Sequence, residues 1–207
     1  MKIHLDLDCY FCSAERTRYP FLKEKNVVVA KGSDKKIFSK EKKDGVIVGS
    51  NGAFNSVLEF KNSYDINNIL RAWRDEFIDE NGEIHGIVIA KSYECKPYGI
   101  KTGTPLKDAI HMCPNLIILP SDHLFYVELS QKLKAFLELK IPVLETYSID
   151  EFFGDLGGWI KDEDTLEFIT ELRNEIMQKF DLPITIGASH SKWIAKLLTD
   201  CVKPFGV

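Results

Sequence analysis

Three things are scarce in this chain, and each scarcity excludes a class. No apolar run approaches the ~20 residues needed to span a bilayer, so no membrane partner is expected. Its five cysteines, odd in number and scattered at 9, 12, 95, 113 and 201, make no disulfide framework. That pattern fits a reducing compartment. Positive charge is not in excess: 27 Lys and Arg stand against 31 Asp and Glu, for a formal net charge of −4. A broad phosphate-gripping surface is therefore not expected, and any contact with nucleic acid must be local or assisted. The main basic cluster, Lys35-Lys36 with Lys40-Glu41-Lys42-Lys43, reads as a solvated loop. The segment Met1-Lys2-Ile3-His4-Leu5-Asp6 is too short and too acidic for a signal peptide. A cytoplasmic location is expected.

What is present suits a soluble globular protein: 44% hydrophobic and 28% charged residues over 207 positions, enough to bury a core without staples. Cys9 and Cys12 form a CxxC that His111 and Cys113 could complete as a zinc site. The second pair lacks finger or ribbon spacing, which favours small buried thiols instead.

The most informative segments are Asp6-Leu7-Asp8 and Ser148-Ile149-Asp150-Glu151, each of which places carboxylates at the end of an apolar run. Acidic residues are poor strand formers and costly to bury, so an Asp that ends a buried strand needs a partner. A divalent metal is the most economical one. Residues 2 to 8 alternate, with Ile3, Leu5 and Leu7 on one side and His4, Asp6 and Asp8 on the other. A short helix is expected over residues 10 to 19, and Val27-Val28-Val29-Ala30 reads as a buried strand.

From about 31 to 85 the pattern loosens into an elaborated insertion. It contains one amphipathic helix through Ile66, Ile69, Leu70, Trp73 and Phe77. Strand Ile87-Val88-Ile89-Ala90 follows, then a helix opened by Thr104-Pro105, strand 115–120, and a helix through Leu124, Val127, Leu129, Leu133 and Phe136. The last third reads as a hairpin over 143 to 156, a helix through Leu166, Ile169, Leu172, Ile176 and Phe180, strand 184–187, and a helix from about Lys192 to Cys201. The expected fold is α+β: a ferredoxin-like sheet backed by helices, with a small α/β subdomain inserted.

Asp150 and Glu151 are neighbours, so they share a ligand only if the chain turns between them, as a hairpin tip does. With Asp6 on an adjacent strand end, three carboxylates can hold two Mg²⁺ about 3.5–4 Å apart, an arrangement for phosphoryl or nucleotidyl transfer.

Four ordered segments resemble the Y-family, or lesion-bypass, DNA polymerases. Asp6-Leu7-Asp8-Cys9-Tyr10-Phe11 with Ser13-Ala14-Glu15 is similar to the family's first motif. Tyr147-Ser148-Ile149-Asp150-Glu151, followed by Asp155, is similar to its second acidic motif. Residues 93–103, Tyr-Glu-Cys-Lys-Pro-Tyr-Gly-Ile-Lys-Thr-Gly, resemble the fingers motif, and 187–196 with Lys203-Pro204-Phe205-Gly206 resemble the last palm motif. The resemblance implies a palm of residues 1–10 and 116–207 and fingers of 11–115, without the thumb and little finger. It implies that Asp6, Asp150 and Glu151 are catalytic and, with the Leu7 carbonyl, hold two Mg²⁺. Amides around Cys9, Tyr10 and Phe11 would hold the triphosphate of a dNTP, and Phe11 would exclude a ribose 2′-hydroxyl. Tyr93, Lys96 and Lys196 would orient phosphates. Primer–template DNA is the implied partner, with a C-terminal DNA-binding domain or an accessory replication protein as helpers. Lys96 stands where the pattern usually has Arg, which turns a bidentate fork into a point charge. Ala90 stands where a hydroxyl residue is common.

Three rivals stay open: a truncated, catalytically weak remnant that binds nucleotide, metal or DNA; a DxD phosphoaspartyl phosphatase; and a palm-type nucleotide cyclase. The phosphatase needs strand one in a parallel Rossmann-like sheet and a small residue where Tyr10 stands. The cyclase lacks the fingers motif.

Overall fold

A computed structural model of the chain describes residues 1–32 and 76–207. Most of the expected 31–85 insertion, its helix as far as Trp73, and the basic cluster lie outside the described residues. The chain divides into two units, Met1–Arg18 with Tyr126–Val207, and Tyr19–Phe125.

In the first unit, β1 (Lys2–Leu7) is followed by α1 (Tyr10–Arg18). After the second unit come α3 (His123–Glu138), β5 (Val143–Thr146), β6 (Glu151–Asp155), α4 (Thr165–Phe180), β7 (Ile184–Ser189) and α5 (Lys192–Val202). The sheet order is β5-β6-β1-β7, and all pairs are antiparallel. This is the βαββαβ ferredoxin-like arrangement, with the second unit inserted after α1. Because β1 runs antiparallel to both neighbours, the parallel sheet that a phosphoaspartyl phosphatase requires is not formed by this strand.

Alternation along β1 decides both faces. Ile3, Leu5 and Leu7 are buried on one. His4 and Asp6 share the other, which α5 covers rather than solvent. The helix can come so close because residue 187, across from His4, is Gly. A Cβ there would stand 2.2 Å from the Ala195 carbonyl and 2.6 Å from Thr199 Oγ1. The C-terminal residues then fold back on β7: the Ile186 amide donates to the Gly206 carbonyl at 3.1 Å. Asp8 clamps the same segment, accepting from Thr185 Oγ1 with both oxygens and from the Phe205 amide at 2.8 Å.

The second unit is a three-stranded sheet, with β2 (Val27–Lys31) central, β3 (Ile87–Lys91) antiparallel to it and β4 (Ile117–Pro120) parallel. It contains a short 3₁₀ stretch, Tyr93–Tyr98, closed by left-handed Gly99, and α2 (Leu106–Met112). Val28, Ala30, Phe77, Val88, Cys95, Leu106, Cys113 and Ile118 belong to its core. The unit boundaries fall at 18/19 and 125/126. The cause is pairing: β4 joins β2 in the second sheet, whereas α1 stays with β1. Thr104 does not cap α2; its hydroxyl accepts from the Lys101 amide at 3.0 Å, and extended Pro105 bridges to Ile87 instead.

Gly187→Ala is expected to destabilise the first unit by about 1–3 kcal/mol or more, because backbone of α5 rather than a flexible side chain stands in the way. Urea denaturation followed by circular dichroism measures it; an unchanged midpoint would show that α5 can lift freely.

Candidate functional site

The register of the central strands builds the site. Asp6 pairs across from Glu151 on β6 and from Thr185 on β7. Between β5 and β6 the chain makes a tight tip: the Tyr147 and Ser148 amides donate to the Glu151 carbonyl at 3.0 and 3.1 Å. The Leu7 amide donates to the Asp150 carbonyl at 3.0 Å, which pins the tip to the end of β1. Asp150 thus precedes the strand and Glu151 begins it, so the two carboxylates escape strict alternation. Asp150 Oδ1 accepts from Ser148 Oγ at 2.6 Å.

Among the described residues, ligand atoms of His4, Asp6 and Glu151 lie within 4.8 Å of one another and could surround one cation. Asp150 is not in that set, since its carboxylate is turned onto Ser148. Cys9, Cys12, His111 and Cys113 form no such group; Cys12 and Cys113 are buried thiols.

Two lysines neutralise the cluster. Lys203 Nζ lies 2.7 Å from Asp6 Oδ2, and the Lys196 ammonium contacts Glu151 Oε1. Burial pushes the Asp6 carboxyl up to about 6; Lys203 opposes the rise, while Glu151 and Asp150 add to it. Glu151 is held down at about 2 by the His4 imidazole and by Lys196, against its own burial. The imidazole acts across a gap, because its Nε2 stands 3.6 Å from Oε1, beyond hydrogen-bond length. Burial acts to lower Lys203, but its bond to Asp6 more than offsets this and the ammonium ends above its ordinary range.

Directly after β1, Cys9 takes a positive φ of 48°, a conformation uncommon outside glycine. It turns the strand into α1, whose first residues are Tyr10 and Phe11. The Tyr10 hydroxyl donates to the Tyr126 carbonyl at 2.5 Å; burial, and then Asp150, push its pKa up. The Phe11 ring stacks on the Tyr126 ring, with centroids 4.5 Å apart and planes at 15°. Tyr126 donates in turn to Glu15 Oε1 at 2.7 Å, and Arg18 donates to both oxygens of Glu15.

The structure therefore gathers Asp6, Glu151 and Lys196, sets Asp150 beside them at the tip, and leads from Leu7 into Cys9, Tyr10 and Phe11. Tyr93 and Lys96 sit together in the second unit, the Lys96 ammonium 4.1 Å from the Tyr93 ring centroid. Asp8 serves the C-terminal clamp, and Asp155 pairs with Lys2. Sequence reasoning gave no role to His4, Lys203 or Tyr126. His4 had a signal, since alternation puts it on the face of Asp6; Lys203 and Tyr126 reach the site from far along the chain.

The shift on Asp6 fixes a pH dependence. Its pKa rises from 3.8 to about 6 on folding, so the native state holds the proton more tightly than the unfolded chain does. The stability this gives is fully present below 3.8 and is lost as pH rises through about 6. Asp6→Asn should therefore raise the melting temperature of the metal-free chain at pH 7 and flatten its decline between pH 4 and 6, as read by thermal denaturation. A lower melting temperature at pH 7 would show that the Lys203 bond outweighs burial.

The impB/mucB/samB family matches residues 5–200 of the chain. DNA polymerase IV 1 of Halalkalibacterium halodurans is 37% identical over 122 residues, which cover 59% of this chain and 30% of that protein. DNA polymerase IV of Dehalococcoides mccartyi is 26% identical over 205 residues, 99% of this chain and 40% of that one. Among solved structures, the insertion ternary complex of Dbh DNA polymerase superposes with a TM-score of 0.73 at 22% identity, covering 99% of this chain and 47% of that one. DinB from Sulfolobus solfataricus gives a TM-score of 0.71 at 22% identity, with 46% of its chain covered. The chain thus spans less than half the length of these relatives. Its fold agrees with theirs, the family match runs over most of its length, and the chain belongs to the impB/mucB/samB family, within the Y-family polymerases.

Proposed function

We propose that the chain is the catalytic part of a translesion-type DNA polymerase, performing template-directed nucleotidyl transfer on primer–template DNA with dNTP. The observation that carries this reading is the pairing of Asp6 with Glu151 at the ends of two central strands, beside Asp150 and beneath two lysines. On this reading the first unit is the palm and the second the fingers.

The cluster fits divalent cations. Its donors are hard carboxylate oxygens; burial, with Glu151 and Asp150 adding to it, pushes Asp6 up to about 6, and two ammonium groups already stand against them. Asp6, Asp150, Glu151 and the Leu7 carbonyl would hold two Mg²⁺, which when bound would activate the primer 3′-hydroxyl and offset charge on the leaving pyrophosphate. The chain's own groups do the rest. The α1 amides near Cys9, Tyr10 and Phe11 present donors to a triphosphate. Lys196, freed from Glu151, neutralises it; Tyr93 and Lys96 keep the phosphate-orienting role that the family resemblance gives them. Phe11, backed flat by Tyr126, walls off the sugar 2′ position.

A net charge of −4 favours a second reading, in which the isolated chain holds nucleotide and metal but grips DNA too weakly to extend a primer. A further DNA-binding domain or an accessory replication protein would then supply the basic surface. Primer extension with Mg²⁺ and dNTPs separates the two. Incorporation supports the first reading, while its absence at high enzyme and low salt, with persistent dNTP binding, supports the second.

Two substitutions test the assignments. Asp150→Ala is expected to abolish incorporation yet leave the metal-free melting temperature unchanged or higher, since it removes a like charge beside Asp6; severe unfolding would make Asp150 structural. Phe11→Ala should raise ribonucleotide use by about tenfold to a hundredfold relative to deoxynucleotide use, as read from kcat/KM ratios. An unmoved ratio would remove Phe11 from sugar selection.

A further inference from the structure

One aromatic residue at the tip between β5 and β6 has no part in the function proposed above. Tyr147 is tied to the start of β6 by its amide, which donates to the Glu151 carbonyl at 3.0 Å. The residue is 49% exposed, yet two other rings hold its ring edge-on. Phe153 lies 5.5 Å away between centroids with planes at 87°, and Trp193 of α5 lies 6.4 Å away with planes at 86°. Phe153 is buried beneath both, 6.2 Å from Trp193. Near-perpendicular pairs of this kind are a favoured ring geometry, so a tyrosine at the surface is braced against a buried base.

Lys196 lies against that ring. Its ammonium contacts Glu151 Oε1 and stands 5.3 Å from the Tyr147 ring centroid, within the range at which a ring face attracts a cation. The neighbouring lysine is placed differently. Lys192 lies 4.4 Å from the Phe153 centroid, but its anion is Glu145, an exposed carboxylate 2.6 Å away that the proposed chemistry does not use. Lys196 instead depends on a carboxylate that the proposed chemistry takes from it.

A carboxylate and a ring hold an ammonium in different ways. The carboxylate occupies N–H donors, whereas the negative face of a ring attracts the charge and leaves those donors open to phosphate oxygens. Lysine is a point charge on a flexible stem. Unless something confines the ammonium after Glu151 releases it, the cost of ordering it falls on nucleotide binding.

We propose that Tyr147 is a positioning residue for nucleotide binding: its ring face retains the Lys196 ammonium once Glu151 lets go and presents it to the triphosphate. The proposal rests on the reading of Lys196 as a phosphate partner. Phe153 and Trp193 serve by keeping the Tyr147 ring in place.

The test is calorimetric titration of the whole 207-residue chain with dATP in excess Mg²⁺, which reads affinity without requiring incorporation. Tyr147→Leu is expected to weaken dATP binding about threefold to tenfold, while Tyr147→Phe, which keeps the ring, stays within about twofold of wild type. A double-mutant cycle separates positioning from a merely structural role: in the Lys196→Met background, Tyr147→Leu should cause no further loss. Circular dichroism checks folding. If Tyr147→Leu does not fold, fluorinated phenylalanines at position 147 replace it; their rings keep the shape but lose the negative face, and binding should weaken as fluorines are added. Equal losses from Tyr147→Leu with and without the Lys196 ammonium, or a flat fluorine series, overturn the Tyr147 assignment while leaving Lys196 as a phosphate partner. Binding of dATP that is absent, or that Lys196→Met leaves unchanged, overturns the reading of Lys196 itself and the proposal with it.

Discussion

A carboxylate buried at the end of a central strand must be answered by charge from elsewhere, and most of the first unit is organised around that demand at Asp6. β1 is flanked on both sides, so Asp6 cannot relax outward into water. Its register partner Glu151 is acidic too, and Asp150 follows at the adjacent tip. Positive groups are delivered by the elements around them: Lys196 from the middle of α5 and Lys203 from just beyond its end. Those lysines can reach only because α5 lies directly on the sheet, and α5 can lie there only because residue 187 has no side chain. Asp8 then holds the segment after Lys203 against β7 through Thr185 and the Phe205 amide.

Such an arrangement is electrostatically balanced but not settled. Buried ion pairs return little net stability once desolvation is counted. Lysine is a flexible, monovalent counterion, and two of them neutralise carboxylates without holding them in any coordination geometry. A divalent ion does both, so the metal-free cluster has a standing reason to exchange lysine for metal.

Much of this was legible in the sequence because period and composition report on faces. The alternation of Ile3, Leu5 and Leu7 with His4 and Asp6, the run Val27-Val28-Val29-Ala30 and the stripe through Ile169, Leu172 and Ile176 each became the expected element. The turn between Thr146 and Glu151 is the expected hairpin tip, and it sets Asp150 beside the start of the strand that Glu151 opens. What period cannot report is which elements become neighbours. The strand at 117–120 reads identically whether it joins one sheet or the other, and its parallel pairing with β2 is what places it in the second unit. Lys203, Thr199 and Tyr126 act through contacts more than a hundred residues away in sequence, for which no local pattern exists. Thr104 misled because a hydroxyl before proline resembles a cap, while an extended Pro105 bound to Ile87 removes the geometry that a cap needs.

The insertion of one unit after α1 of the other sets an order of assembly. β1, the first strand made, needs β6 and β7, which begin at residues 151 and 184, before either of its edges is paired. The second unit, residues 19 to 125, has a sheet and core of its own and emerges complete while β1 is still waiting. Contacts this distant in sequence carry a larger loop-closure cost than the local pairings of the second unit, which weighs against early closure of the carboxylate-bearing sheet. During synthesis, the last part of this chain to form is the sheet that holds Asp6 against Glu151.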